Sequence, residues 1–160
     1  MAPREVVQVN GWLLYAHPLF AERLDALTQE VEELAQKDPA NFHHHAAAKL
    51  LFKVQKCIFE RVPGDPNADV YQLGNTLGKT NRNWRRVKHD LPPRYRLFYQ
   101  FRSAIPQTII YAWLNDDATL RKAGAKTDAY AVFLRMLQSG KMPSSFAELE
   151  MQKILLPDSA

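Results

Sequence analysis

The chain has 160 residues, of which 46% are hydrophobic and 24% charged, with a single cysteine and a formal charge of +4. That is the size and composition of one globular domain, and a lone cysteine excludes an internal disulfide or a thiolate metal cluster. No apolar run approaches the ~20 residues a membrane helix needs, and Met1-Ala2-Pro3-Arg4-Glu5 lacks the apolar core of a signal peptide, so a cytoplasmic protein is expected.

Val7, Val9 and Leu13 alternate within Val6 to Tyr15, which reads as a strand broken at Asn10-Gly11. Phe20, Leu24, Leu27, Val31 and Leu34 recur at steps of four and three, which predicts an amphipathic helix from Pro18 to Lys37. Asp38 is expected to cap a second helix with Pro39 at its first position, buried through Ala47, Leu50, Leu51, Val54, Cys57 and Ile58 as far as Val62. So short a connection predicts an antiparallel hairpin. His43, His44 and His45 are adjacent rather than one turn apart, so they cannot converge on one metal ion and read as a solvated helix face.

Pro63 to Asn83 is long and rich in Pro, Gly, Asn and Asp, so it holds a short helical turn or has a functional job. Within it, Gly74 to Thr80 reads GNTLGKT. A phosphate-binding loop has four residues between its first glycine and Gly-Lys-Thr and opens a helix; here three intervene and a strand follows, which excludes nucleotide hydrolysis. Gly74, Gly78 and Lys79 are read as a flexible, basic approach to a sheet.

Three strands are predicted next, Trp84 to Asp90, Arg94 to Arg102 and Thr108 to Leu114, with separators short enough for an antiparallel meander. Asp116 and Asp117 read as turn and cap residues, having no third carboxylate with them. The last strong helix takes Thr127 as cap, Asp128 in its first turn, Tyr130, Phe133, Leu134 and Leu137 as its apolar stripe, and Gly140 past its end. Ser145 and Glu148 fit a capping box for a short terminal helix ending near Leu155.

The charge is uneven. From Lys79 to Arg102 the chain carries Lys79, Arg82, Arg85, Arg86, Lys88, Arg94, Arg96 and Arg102 against Asp90 alone, a balance of +7; the remainder, 13 basic against 16 acidic, is −3. Such a segment implies a polyanionic partner. In Arg94 to Arg102, Tyr95, Leu97, Tyr99 and Phe101 point one way, and Arg94, Arg96, Gln100 and Arg102 the other, with Phe98 among them. One face can cover the helical hairpin; the other is cationic. With Arg86 and Lys88 on one face of the preceding strand, two strands could gather Arg86, Lys88, Arg94 and Arg96. Phosphates and bases of single-stranded RNA suit cations set among aromatic rings. Cutting that RNA without metal would require a base for the 2′-hydroxyl, cations for the phosphorane and help for the leaving 5′-oxygen.

Several blocks together carry a resemblance: Asn10-Gly11-Trp12 with Tyr15-Ala16-His17-Pro18, Arg86-Val87-Lys88, Arg94-Tyr95-Arg96-Leu97-Phe98, Trp113 with Asn115-Asp116, Thr119-Leu120-Arg121, and Lys126-Thr127-Asp128-Ala129-Tyr130. In order and spacing they resemble the YhaV toxins of bacterial toxin-antitoxin systems, within the RelE superfamily. The resemblance implies a RelE-like α+β fold. A helical hairpin would pack on a twisted antiparallel sheet, in one domain spanning residues 1–160 with 143–160 as a helical extension. It also implies a metal-independent, cofactor-free messenger-RNA endonuclease acting on the ribosome, leaving a 2′,3′-cyclic phosphate, and held by a PrlF-type antitoxin in a hetero-oligomer.

By position, Arg96 matches the strand arginine on the scissile phosphate, and Arg86 and Lys88 its paired basic residues. Lys88, crowded by cationic neighbours, is the expected base and His89 a second one, while Arg121 and Lys126 compete to assist the leaving oxygen. Tyr130 fits both a catalytic tyrosine and a core tyrosine with a satisfied hydroxyl. Lys79, Arg82, Arg85, His89, Arg94 and Arg102 are expected to position RNA. A non-catalytic RNA or ribosome binder, and a gyrase-directed toxin on the same fold, are the alternatives.

Overall fold

The computed structural model describes residues 5–158. Asn10 and Gly11, at φ of 50° and 82°, make the two left-handed positions of a tight hairpin turn. The first predicted strand is therefore a hairpin of β1 (Val7–Val9) and β2 (Trp12–Ala16). Helix α1 (Pro18–Lys37) starts on His17, whose Nδ1 accepts from Leu19 N, and buries Phe20, Leu24, Leu27 and Val31 as its periodicity requires.

Asp38 does not cap the second helix. Its carbonyl accepts from Asn41 and Phe42 N in a turn that sets Phe42 against the core, and helix α2 (Ala46–Lys56) begins only after His45. The three histidines thus lie on a single 3-10 turn and at the helix start, exposed, rather than on a helix face. Beyond α2 the helix widens into a π turn at Cys57–Arg61 and closes with α3 (Val62–Gly64). The long segment that follows holds two 3-10 turns, at Asp69–Tyr71 and Lys79–Asn81, and buries Leu73 and Leu77.

Strands β3 (Arg85–Val87), β4 (Leu97–Arg102) and β5 (Thr108–Leu114) form the predicted meander, with Arg86 opposite Phe98 and Phe98 opposite Trp113. Both β3 and β4 are shorter than expected. Pro92 and Pro93 offer no N–H to a ladder, and Arg94 sits at φ 72°, so Lys88 to Arg94 is a loop. The sheet is mixed rather than antiparallel: its order is β1-β2-β5-β4-β3, with β2 parallel to β5.

Helix α4 (Ala129–Ser139) is capped by Asp128, not Thr127, and ends on Gly140 in the left-handed conformation. Ser145 caps α5 (Phe146–Gln152), after which β6 (Ile154–Leu155) pairs with β2 where continued helix was expected.

Alternation along β4 and β5 feeds two cores. Leu97, Tyr99, Ile109, Tyr111 and Leu114 pack beneath α1 and α2. Phe98, Ile110 and Ala112 pack with Trp84, Tyr130, Phe133, Met136, Met142 and Leu149. The face expected to be an open cationic surface is therefore largely an apolar core closed by α4 and α5. The skipped residue between the Phe98↔Trp113 and Tyr99↔Tyr111 pairs is a bulge, and it places both Ala112 and Trp113 on this second side.

Candidate active site

At the edge of the second core, three arginines converge on Tyr130. The ring of Tyr130 is buried edge-on against Phe98, with centroids 5.7 Å apart, so α4 presents its hydroxyl at a fixed point. Arg86, from β3, donates to that hydroxyl through Nε at 2.8 Å, and Arg96, just before β4, through Nε at 3.1 Å. Arg121 stacks its guanidinium over the ring, 4.9 Å from the centroid, and Arg96 lies 5.9 Å from the same centroid. Both expected uses of Tyr130 are thus combined: it belongs to a core, and its hydroxyl is the shared acceptor of two guanidinium groups.

Each arginine is also held away from Tyr130. Arg86 Nη1 donates to the Gln72 carbonyl at 2.6 Å and Arg96 Nη1 to its neighbour's, Tyr95, at 2.8 Å. Arg121 Nη1 donates to Asp128 Oδ1 at 2.7 Å. Burial tends to raise the Asp128 pKa, but the hydrogen bonds from Arg121 and from the Lys122 and Ala131 N–H groups outweigh it and hold the carboxyl below its ordinary value. In all three arginines Nη2 has no intramolecular partner among the described residues, which leaves three N–H-bearing groups for an anion.

Asn115 organises the loop side and was missed as a site residue. Fully buried, it accepts from Arg96 N at 2.8 Å and donates to the Arg94 and Thr119 carbonyls at 3.0 and 2.8 Å. The Arg94 carbonyl also accepts from Arg121 N at 2.9 Å. These bonds fix Arg94 in its left-handed conformation and bind the Arg121 segment to the start of β4. Asp128 and Gln72 were also unassigned; the sequence placed Asp128 in the first turn of the helix and in the Lys126-Thr127-Asp128-Ala129-Tyr130 block, without a role at the site.

The other expected cations separate into groups. Lys88 follows the last ladder pair, Val87↔Leu97, just as Arg96 precedes it, so the two flank one end of the ladder. Lys88 is exposed and, like Lys126, makes no side-chain hydrogen bond or ion pair among the described residues. Arg94 is exposed in the loop, out of strand alternation. Arg85 lies on the opposite face, over Phe101, and donates to the Arg82 and Trp84 carbonyls. Arg102, at the far end of β4, is paired with Glu150 and packed on Phe146. Arg82 is bonded to Asn75, Lys79 is exposed, and His89 faces a different cleft.

A family model described as "Toxin with endonuclease activity, of toxin-antitoxin system" matches residues 14–153. Toxin YhaV of Escherichia coli O6:H1 is 47% identical over 143 residues, covering 89% of this chain and 92% of that protein. The ribonuclease toxin YhaV of Escherichia coli K12 has the same identity over the same shares. No solved structure matches the chain. The chain belongs to the YhaV family of toxins with endonuclease activity from toxin-antitoxin systems.

Proposed function

We propose that this toxin cuts messenger RNA at the Tyr130 hub, by attack of a ribose 2′-oxygen on its own phosphodiester. The observation that carries the reading is the convergence of Arg86, Arg96 and Arg121 on one hydroxyl, with an unbonded Nη2 on each. Three guanidinium groups can share the charge that develops on a phosphorane, and being held in place they need no rearrangement as it forms. Lys88, beside Arg96 at the ladder end, takes the 2′-hydroxyl proton. The new bond joins the 2′-oxygen to phosphorus while the bond to the 5′-oxygen breaks, leaving a 2′,3′-cyclic phosphate. Arginine is too weak an acid to release a proton. Tyr130, accepting two hydrogen bonds at its oxygen, gives its own proton to the departing 5′-oxygen, and Arg121, stacked over its ring, supplies the third charge in preference to the exposed Lys126.

The reading extends to a RelE-like arrangement, supported by the helical pair on one face of the β3-β4-β5 meander. It includes action on translated messages in the cytoplasm, no requirement for metal, and control by a PrlF-type antitoxin. The test is fragment-end mapping in a translation extract containing EDTA. Cleavage with cyclic-phosphate ends is expected from the wild type, with losses of at least a hundredfold in Arg96→Gln and Arg121→Gln and little change in Lys126→Gln. Intact messages with the wild-type protein would refute it.

A further inference from the structure

On the side of the sheet covered by α1 and α2, a cleft of about 220 Å³ opens between the end of α2 and the loop after β3, lined by Lys53, Lys56, Cys57, Arg61, His89 and Asp90. Two lysines, an arginine and an imidazole face a single carboxylate. None of those four basic side chains makes a hydrogen bond or ion pair among the described residues. The charge is segregated within the helical pair as well. Helix α1 carries Glu22, Asp25, Glu30, Glu32 and Glu33 against Arg23 and Lys37. From α2 to the end of the π turn the chain carries Lys49, Lys53, Lys56 and Arg61 against Glu60.

The cleft is built, not incidental. The Cys57 thiol donates to the Asp90 carbonyl at 3.6 Å, tying the π turn to the loop, and Tyr111 Oη donates to the Ile58 carbonyl at 2.8 Å, fixing the turn to the sheet. Burial pushes the Cys57 thiol up to about 12, so it stays protonated and offers the cations no compensating charge. Lys49, Lys53 and Lys56 share one helix face at steps of four and three, beside the exposed ring of Phe52. Cations gathered without partners repel one another unless an anion joins them.

We propose that this cleft is a second phosphate site for RNA, holding a backbone phosphodiester of the strand whose scissile phosphate lies at Tyr130. The inference rests on the RNA-cutting reading above. Lys88 and His89 are consecutive, the first at the ladder end beside Arg96 and the second in the cleft, so a strand passing round the end of β3 meets cations throughout. An extended polyanion fits this placement better than a small ligand, because the two basic sites lie on opposite sides of one strand end.

The test measures labelled single-stranded RNA binding against salt, with cleavage kinetics alongside, for the wild type and for the Lys53→Gln, Lys56→Gln, Arg61→Gln triple variant. Lost phosphate contacts flatten the slope of log affinity against log salt by ~0.7 each for a single strand, so a reduction of about 2 is expected, with KM rising more than kcat falls. The charge-conserving Lys53→Arg, Lys56→Arg, Arg61→Lys variant should restore the slope, which separates charge from folding. If the wild type cuts RNA while the glutamine variant keeps its slope and KM, the cleft proposal fails alone; if the wild type neither binds nor cuts RNA, both readings fail. Unchanged RNA binding with lost antitoxin binding would assign the cleft to an acidic protein partner and overturn the proposal.

Discussion

Replacing Asp128 with asparagine tests whether one carboxylate holds both the helix carrying Tyr130 and the loop carrying Arg121. Its Oδ1 accepts from Arg121 Nη1 and Lys122 N, at 2.7 and 2.6 Å, and its Oδ2 from Tyr130 N and Ala131 N, at 3.1 and 3.3 Å. Asparagine keeps the shape but has one oxygen, so whichever pair it serves, its NH₂ meets the donors of the other. Losing a helix cap costs ~1 kcal/mol. Stranding the Arg121 charge costs less than in a fully buried pair, because 33% of its side chain is exposed and water compensates in part; ~1–2 kcal/mol is expected. Because the amide keeps the helix cap when its oxygen replaces Oδ2, the two costs do not add, and ~1–2 kcal/mol lowers Tm by roughly 2–8 °C in a chain of this size.

Asp128→Ser keeps a cap oxygen and releases Arg121 without setting an amide donor against it, so it should melt no lower than the asparagine variant yet cleave at least tenfold more slowly than the wild type. The depressed Asp128 pKa also fixes a sign. The carboxylate stabilises the fold fully above its ordinary value of 3.8, and that contribution is lost as pH falls through its lower folded value. Wild-type stability should therefore drop more steeply below pH ~4 than that of the asparagine variant. Thermal melting by circular dichroism and single-turnover RNA cleavage are the assays. An asparagine variant with unchanged Tm, acid response and rate would refute the reasoning.

Tyr130→Phe keeps the ring among Phe98 and Phe133 but removes the acceptor of two guanidinium groups, so ~1–3 kcal/mol of stability and most cleavage should go together; wild-type cleavage by this variant would show that the hydroxyl has no part in the chemistry. Burial lowers the His17 pKa, against the raising effects of its Gln152 hydrogen bond and of Glu22. Its neutral ring stabilises the fold above pH ~6.5, and the contribution fades as pH falls toward the folded value. Denaturant titrations from pH 7 to 5 should show a gentler fall in His17→Asn, and parallel curves would contradict this. Gly11→Ala places a Cβ at φ 82° in the first hairpin and should cost ~1 kcal/mol of stability with cleavage retained, read by denaturant midpoint; an unchanged midpoint would mean the hairpin turn relaxes.

Elements whose information is local were readable. The period of α1 buries one stripe on one core, and the separators after β3 and β4 impose a meander whatever happens elsewhere. The pairing of β2 with β5 was not, because it joins segments some ninety residues apart by hydrogen bonds that any side chains permit, and two-residue β6 has no pattern to read. Thr127 and Asp128 are both good caps; the choice falls to Asp128 because only its carboxylate also reaches Arg121. Within the basic segment, sequence placed Arg86 and Arg96 on one side through strand alternation, and Arg86 and Arg96 do meet at Tyr130. Sequence left Arg121 and Lys126 in competition, because the place of Arg121 over the Tyr130 ring is decided by a loop tied down through Asn115 and Arg94.

Phe98 was the residue that sat oddly among the arginines, and it explains why the second face is not simply cationic. Its ring stacks on Phe133 at 4.2 Å, Phe133 in turn stacks on Trp113 at 5.7 Å, and Trp84 meets Phe133 edge-on at 4.8 Å. These contacts lock α4 to β4 and β5, and Tyr130 projects from the same helix one turn earlier, with only its polar end free of the core. Guanidinium groups repel one another, so three of them remain together only around acceptors that cannot retreat. The aromatic stack supplies that rigidity: α4 cannot shift to relieve the crowding without breaking ring contacts along its length. The apolar core is thus the reason that a surface of this charge has a fixed geometry, and a substitution that loosens Phe133 acts on the arginines without touching any of them.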